Sequence, residues 1–172
     1  MTDRIFLIGF MGCGKSTLGR LLADAIDYQF VDTDQLIEEK CGCSVAQIFS
    51  EKGEYAFRQM ERETLENLVN QQRIVVATGG GMACSQQNIE MMNAAGTTVY
   101  LQALAENLAD WLKVERKKRP LIAQQSDEQL RQYVAEMLTE REKFYRQATI
   151  TIQVDQNYTT DNEMVSRIIK LL

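Results

Sequence analysis

A glycine-rich segment near the amino terminus has the spacing of a phosphate-binding loop. Residues 9–17 read Gly-Phe-Met-Gly-Cys-Gly-Lys-Ser-Thr and satisfy the pattern G-x-x-x-x-G-K-[ST] directly after a short apolar run. In such a loop, backbone N–H groups turn towards phosphate oxygens, the lysine reaches the terminal phosphates and the serine hydroxyl can bind Mg²⁺. The Cys13 side chain is expected to face away from the phosphates and not to act as a nucleophile. The residues predicted to contact the phosphates or the metal ion are Gly12, Cys13, Gly14, Lys15, Ser16 and Thr17.

Two carboxylates follow the second apolar run. Phe30 and Val31 lead into Asp32-Thr33-Asp34 at the carboxyl end of the second strand, and side chains two residues apart on a strand project to the same face. Phosphoryl transfer requires one acid to hold Mg²⁺ and another to accept the proton of an attacking hydroxyl. The alternative for Asp34 is that it caps a helix. The proximity of the predicted phosphate loop favours the chemical interpretation.

Three consecutive glycines could form a second binding site. Gly79, Gly80 and Gly81 follow the apolar run 74–78, and bare backbone at the end of a strand offers N–H donors to a γ-phosphate or to a small polar substrate. Arg58 lies in a charged segment upstream of the glycines, and Arg141 lies in another downstream. Both arginines have acidic neighbours, so each could form an ion pair on a helix surface. The neighbours are Glu54 and Glu61 for Arg58, and Glu140 and Glu142 for Arg141.

The elements that must position these residues alternate between strand and helix patterns. This alternation predicts an α/β fold with a parallel sheet, helices on both faces, and ligands at the carboxyl ends of the strands. We expect one domain over residues 1–172, with segments 33–61 and 112–126 inserted over the site. Capping boxes at Ser44, Ser126 and Thr160 predict helices that begin near residues 45, 127 and 161. The predicted strands are 5–8, 29–31, 74–78, 98–101 and 149–154.

Composition excludes several other classes of protein. The chain has 172 residues and a net charge of −5, and it has no histidine, which rules out catalysis by a Ser/His/Asp or Cys/His centre. Its four cysteines lack C-x-x-C spacing, which favours a reduced compartment and indicates a cytoplasmic protein. No apolar run has membrane length, and no heptad demands a dimer, so a monomer is the default.

A basic run precedes the only proline. Residues 113–119 contain five lysines or arginines, and a solvated helix end is the usual origin of such a run. We interpret it as a lid that closes over a nucleotide and brings Arg119 to the phosphates. Nucleic-acid binding is disfavoured, because the chain is acidic and no aromatic residues are interleaved with these charges.

Taken together, these motifs resemble those of the shikimate kinases, in order and over nearly the whole chain. The matching segments are GxxGxGKS at 9–16, DTD at 32–34, GE-x-x-FR at 53–58, TGGG at 78–81, RPL at 119–121 and R-x-x-x-Y at 141–145. The resemblance implies a three-layer α/β/α P-loop kinase fold with a five-stranded parallel sheet, a helical substrate-binding insertion and a lid. It also implies phosphorylation of the 3-hydroxyl of shikimate by ATP and Mg²⁺.

The resemblance assigns a role to each matching residue. Lys15 and Arg119 would stabilise the transferring phosphoryl group, and Asp34 would bind the attacking hydroxyl as its base. Ser16 and Asp32 would hold Mg²⁺. The residues that would bind the acceptor are Asp34, Arg58, Gly79, Gly80, Gly81 and Arg141, with Gly79 also near the γ-phosphate. Arg58 and Arg141 would clamp the acceptor carboxylate, and the guanidinium fork matches its two oxygens.

One position departs from the family pattern. Where relatives carry an arginine that stacks on adenine, this chain has Trp111. Trp111 could stack on the purine, Arg116 could reach back, or Trp111 could be a core residue. Other kinases of this fold, for gluconate or nucleoside monophosphates, and a nucleotide sensor without turnover are the alternatives. The glycine triplet and Phe57-Arg58 argue against the former, and retention of Lys15 and Asp34 argues against the latter.

Overall fold

The computed structural model describes residues 2–116, 122–154 and 160–172. Strands and helices alternate along this part of the chain, as the sequence pattern predicts. The strands are β1 (Arg4–Ile8), β2 (Gln29–Asp32), β3 (Ile74–Ala77), β4 (Thr97–Gln102) and β5 (Ile150–Gln153). The helices are α1 (Lys15–Ile26), α2 (Thr33–Cys41), α3 (Val45–Leu68), α4 (Gln86–Ala95), α5 (Ala105–Glu115), α6 (Asp127–Tyr145) and α7 (Asp161–Leu171).

The five strands form one parallel sheet in the order β2-β3-β1-β4-β5. In the central strand, Ile5 is in register with Val75 of β3 and with Thr97 of β4. Because all strands run in the same direction, the segments that follow β1, β2 and β3 meet at one edge of the sheet. The phosphate loop follows β1, the two aspartates lie at the junction of β2 and α2, and the three glycines follow β3.

Alternate residues of the strands contribute to two core clusters, one on each face of the sheet. Ile5 and Leu7 of β1 pack against α1, α5, α6 and α7, whereas Phe6 and Ile8 pack against α3 and α4. Both faces are therefore covered by helices, and the prediction of a three-layer α/β/α fold is confirmed. A third, smaller cluster of Ile37, Ile48 and Phe57 holds α2 against α3.

The capping predictions agree with the helix boundaries, and the prediction that Asp32 and Asp34 project from one strand face is wrong. Helices α3, α6 and α7 begin at residues 45, 127 and 161, and the hydroxyl groups of Ser44, Ser126 and Thr160 cap them. The second strand ends at Asp32 and does not reach Asp34, because the Asp32 side chain caps α2 and starts a helix at Thr33. Asp34 therefore lies in the first helical turn, and the argument that both acids share one strand face does not hold.

The segment between β2 and β3 is helical, with one break. Gly53 has φ 78° and ψ 169° and interrupts α3, a conformation that residues with a side chain rarely adopt. The break redirects the second half of α3, which carries Arg58 and Glu61 towards the sheet. Among the residues described, no helix combines the length and apolar character needed to cross a membrane.

Candidate active site

The phosphate loop connects β1 to the amino terminus of α1. Gly14 adopts φ 91° at the N-cap position of α1. Lys15 is 8% exposed, and its ammonium group donates to the carbonyl oxygens of Gly9 at 2.8 Å and Phe10 at 2.7 Å. The Cys13 side chain is buried among core residues, facing away from the loop's outer surface as expected. The N–H groups at the start of α1 and the positive end of its dipole make this loop suited to an anion.

Two oxygen ligands lie together beside this loop. The Ser16 hydroxyl donates to Asp32 Oδ2 at 2.6 Å. The other carboxylate oxygen of Asp32 accepts from the N–H groups of Asp34 at 3.1 Å and Gln35 at 3.3 Å. Helix capping, which we considered for Asp34, is thus performed by Asp32, and it fixes the orientation of the carboxylate towards Ser16.

Asp34 faces the glycine turn from a largely buried position. No hydrogen-bond donor in the described part of the chain reaches its Oδ1. A Cβ atom placed on Gly79 would lie only 2.5 Å from that oxygen, so this approach requires glycine. Burial, together with the negative charge of Asp32, raises the pKa of Asp34 to about 6, although Lys15 and Arg58 act in the opposite direction. A carboxylate with this pKa is ionised at neutral pH and is a stronger base than an exposed aspartate.

Arg58 is held between two glutamates of α3. Its Nη1 donates to Glu61 Oε2 at 2.6 Å and its Nη2 donates to Glu54 Oε1 at 2.9 Å. The pair with Glu54 is the exposed i,i+4 contact considered above, whereas the Glu61 side chain is only 1% exposed. Glu61 Oε1 has no partner in the described residues and lies 3.0 Å from the Cβ position of Gly79. Arg58 thus forms the surface pair and also extends into the site.

The glycine turn leaves two backbone donors available. The N–H of Gly79 donates to Thr33 Oγ1 at 2.8 Å. Within the described residues, the N–H groups of Gly80 and Gly81 meet no acceptor. A Cβ on Gly81 would overlap the guanidinium group of Arg58. A ligand at this turn therefore meets two N–H donors next to an arginine.

Arg141 supplies a second guanidinium group on the opposite side of the turn. Its Nη1 lies 3.6 Å from the Cβ position of Gly80, and its guanidinium carbon lies 5.5 Å from the centroid of the Phe10 ring in the phosphate loop. The surface pairs considered for Arg141 do not form, and Glu142 pairs with Arg146 at 3.2 Å instead. No carboxylate in the described part of the chain pairs with Arg141, so its charge is available to an anion.

A cavity of about 720 Å³ lies between α3, the glycine turn and α6. Arg58, Glu61, Gly81, Cys84 and Arg141 are among its lining residues. The combination of two arginines, two free N–H groups and a carboxylate base at the phosphate loop can bind a small hydroxy acid and deprotonate its hydroxyl.

The sequence did not predict the contacts of three residues of this site, Glu61, Thr33 and Cys84. Glu61 was considered only as a surface charge, although its i,i+3 spacing from Arg58 is the signal that pairs them. Thr33 was part of the DTD motif, and no signal indicated that its hydroxyl accepts from Gly79. Cys84, whose thiol donates to the Gly80 carbonyl at 3.5 Å, carried no local signal at all.

The predicted lid lies partly outside the described residues. Lys117, Lys118, Arg119 and Pro120 fall there. The described remainder places Trp111 partly buried against the core and Arg116 in an ion pair with Asp127 at 3.0 Å. Trp111 is therefore packed as in the core interpretation.

The chain is similar in sequence to shikimate kinases. A model of the shikimate kinase family matches residues 11–172. A shikimate kinase of Parabacteroides distasonis is 42% identical over 156 residues, which are 91% of this chain and 90% of that protein.

Solved structures agree with this match over the whole fold. A shikimate kinase of Bacteroides thetaiotaomicron superposes with a TM-score of 0.93 at 34% identity, over 98% of this chain and 97% of that one. A shikimate kinase of Acinetobacter baumannii in complex with shikimate gives 0.89 at 34% identity, over 99% and 93%. These matches confirm the resemblance drawn from the motifs.

Proposed function

Because this chain belongs to the shikimate kinase family, we propose that it transfers the γ-phosphoryl group of ATP to the 3-hydroxyl of shikimate, giving shikimate 3-phosphate and ADP. The observation that carries the proposal is the placement of Asp34. Its carboxylate faces Gly79 of the glycine turn, and the charges of Lys15 in the phosphate loop and of Arg58 in the cavity wall both act on its pKa. A base at this point serves an acceptor hydroxyl directed at a bound phosphate, which a nucleotide-binding module without turnover does not need.

The acceptor carboxylate binds in the cavity. Arg58 and Arg141 provide two guanidinium groups, and the N–H groups of Gly80 and Gly81 provide neutral donors between them. Glu61 holds Arg58 in place through the 2.6 Å contact. With its carboxylate fixed, the acceptor has one orientation in which a ring hydroxyl reaches Asp34.

Transfer then needs only a proton acceptor and charge stabilisation. Asp34 accepts the hydroxyl proton as the oxygen attacks the γ-phosphorus, and the bond to the β,γ-bridging oxygen breaks to release ADP. Lys15 exchanges its two carbonyl contacts for phosphate oxygens and stabilises the negative charge on the transferring group. Arg119 adds a second positive charge from the lid, segment 112–126, which excludes water when it closes. We assign Gly12, Cys13, Gly14 and Thr17 to the phosphates.

Ser16 and Asp32 fit a magnesium ion. Their oxygens lie 2.6 Å apart at the start of α1, and Mg²⁺ prefers oxygen ligands and is bound through a few protein groups together with substrate phosphates. When bound, the ion neutralises charge on the β- and γ-phosphates. Asp32 is kept in position for this role by the two N–H groups of α2 that it caps.

Under this proposal each segment of the protein has a part in binding or catalysis. One domain over residues 1–172 contains the core, and residues 33–61 form the acceptor-binding segment. The adenine contact is assigned to the region of Trp111 and Arg116. We further propose that the enzyme is a cytoplasmic monomer that binds neither nucleic acid nor membranes.

The test is ADP release from Mg-ATP with shikimate, with gluconate, with nucleoside monophosphates and without acceptor. We expect turnover with shikimate alone. Turnover with a different acceptor would overturn the assignment of Arg58, Arg141 and Gly80 to the shikimate carboxylate. ATP binding without turnover on any acceptor would favour a nucleotide sensor.

A further inference from the structure

Tyr145 ends helix α6 and is fully buried beneath the glycine turn. Its hydroxyl donates to the carbonyl oxygen of Gly80 at 2.5 Å. The thiol of Cys84 donates to the same oxygen at 3.5 Å. The Tyr145 ring packs against Tyr100, with 5.2 Å between ring centroids. The phenol is thus held rigidly, with its one donor directed at one backbone atom.

Among the described residues, no backbone N–H donates to the carbonyl of Gly80, unlike the carbonyls of the other two glycines in the turn. The carbonyl of Gly79 accepts from the N–H of Met82 at 3.1 Å, and the carbonyl of Gly81 accepts from the N–H of Cys84 at 2.9 Å. The carbonyl of Gly80 instead accepts from the two side chains. The peptide between Gly80 and Gly81 is flanked by two glycines, which have the greatest backbone freedom. Because no backbone N–H in the described residues holds its carbonyl, this peptide would be the easiest in the turn to rotate.

Holding this carbonyl also sets the direction of an N–H donor. The C=O of Gly80 and the N–H of Gly81 belong to the same planar trans peptide unit and point in opposite directions. With its oxygen fixed on Tyr145, the unit directs the N–H of Gly81 away from α6. Gly81 lines the cavity, and its N–H has no acceptor among the described residues.

The same helix carries the arginine that faces this turn. Arg141 precedes Tyr145 by four residues, so both side chains lie on one face of α6. Arg141 Nη1 lies 3.6 Å from the Cβ position of Gly80. Helix α6 therefore positions an ionic contact and a backbone donor with a single rigid element.

We propose that Tyr145 is a positioning residue for acceptor recognition: its hydroxyl orients the Gly80–Gly81 peptide so that the Gly81 N–H donates to the acceptor carboxylate. The inference rests on the proposed function, which places that carboxylate between Arg58 and Arg141. Tyr145 itself does not touch the acceptor in this arrangement.

Tyr145→Phe tests the inference, with Tyr100→Phe as a matched control. Tyr100 is the stacking partner of Tyr145, and its buried hydroxyl has no partner among the described residues. Both variants remove one buried hydroxyl from the same aromatic pair. We expect Tyr145→Phe to raise the KM for shikimate about five- to tenfold, corresponding to one hydrogen bond. The KM for ATP should change less than twofold, and Tyr100→Phe should leave both values unchanged.

A lower melting temperature in Tyr145→Phe with an unchanged KM for shikimate would overturn the inference, since the tyrosine would then be only structural. Equal rises in the KM for shikimate and for ATP would overturn it as well. If Tyr145→Phe does not fold, Cys84→Ala takes its place, because it removes the weaker donor to the same carbonyl. About a twofold rise in the KM for shikimate supports the inference in that case, and no rise contradicts it.

Arg141→Lys, measured in parallel, separates this inference from the proposed site. A raised KM for shikimate in Arg141→Lys with none in Tyr145→Phe refutes the positioning role alone. An unchanged KM in Arg141→Lys refutes the placement of the carboxylate itself.

Discussion

Replacing Asp34 by asparagine should stabilise the ligand-free protein and abolish most of its activity. The carboxylate is largely buried, one of its oxygens has no donor among the described residues, and Asp32 adds a second negative charge nearby. Asparagine keeps the shape of the side chain and removes the charge. The substitution therefore removes a buried charge that destabilises the folded protein but that catalysis requires as a base.

The size of this cost follows from the pKa. The pKa of Asp34 rises from 3.8 to about 6, and a shift of one unit corresponds to about 1.4 kcal/mol. Ionised Asp34 therefore destabilises the folded state by about 3 kcal/mol. The position in the first turn of α2 favours a negative charge by about 0.3–1 kcal/mol, so we expect a net gain of about 2–3 kcal/mol. For a domain of this size the melting temperature should rise by about 5–10 °C.

The pH dependence identifies the origin of the gain. Below pH 3.8 the carboxyl group is protonated in both the folded and the unfolded protein, so the charge contributes no difference. Between pH 3.8 and about 6 the folded protein retains a proton that the unfolded chain has lost, and wild-type stability falls relative to the variant as pH rises. Above pH 6 the difference is constant. Urea unfolding of both proteins from pH 4.5 to 8.5 measures this curve.

Glu39→Gln is the matched control, since Glu39 is an exposed acid on the same helix. Its unfolding free energy should stay within about 0.5 kcal/mol of wild type. In the kinase assay, Asp34→Asn should lower kcat at least about a hundredfold with unchanged affinity for ATP. A variant no more stable than wild type at pH 8 would refute the assignment of a buried charge. Unchanged turnover would remove Asp34 from the mechanism.

Three further outcomes are expected. Since Asp34 must be ionised to accept a proton, kcat/KM for shikimate should fall about tenfold per pH unit below pH 6. Glu38→Gln removes a negative charge that raises the pKa of Asp34, so it should move the acid limb of this profile to lower pH. An unmoved limb would assign the limb to another group. Arg58→Ala should raise the KM for shikimate with little change in the KM for ATP. The control Arg131→Ala, which removes an exposed partner of Asp110, should change neither KM. An effect of Arg58→Ala confined to the KM for ATP would show that the acceptor does not bind in this cavity. Thr160→Ala removes the cap of α7 and should cost about 1 kcal/mol in urea unfolding at unchanged kcat, and a loss of activity would contradict the separation of this helix from the site.

Features set by neighbouring residues could be predicted from the sequence. The phosphate loop, the starts of α3, α6 and α7, and the alternation of strands and helices depend on hydrogen bonds and periodicity within a few residues. The family resemblance rested on six such segments in order. Asp32 shows a limit of prediction from local spacing. Two acids two residues apart are compatible with one strand face, but the Asp32 carboxylate caps α2, and the helix begins at Thr33.

Only the tertiary structure decided which charges are paired and which groups are free. Tyr145 meets the carbonyl of Gly80, 65 residues away in the sequence, because the end of α6 packs beneath the turn that follows β3. Arg141 has acidic neighbours in the sequence, yet its side chain lies over Phe10 of the phosphate loop. The buried Glu61 likewise meets a residue distant in the sequence, since its Oε1 lies 3.0 Å from the Cβ position of Gly79. Such contacts join residues that the chain brings together only on folding, and their electrostatics follow from burial, which no local spacing encodes.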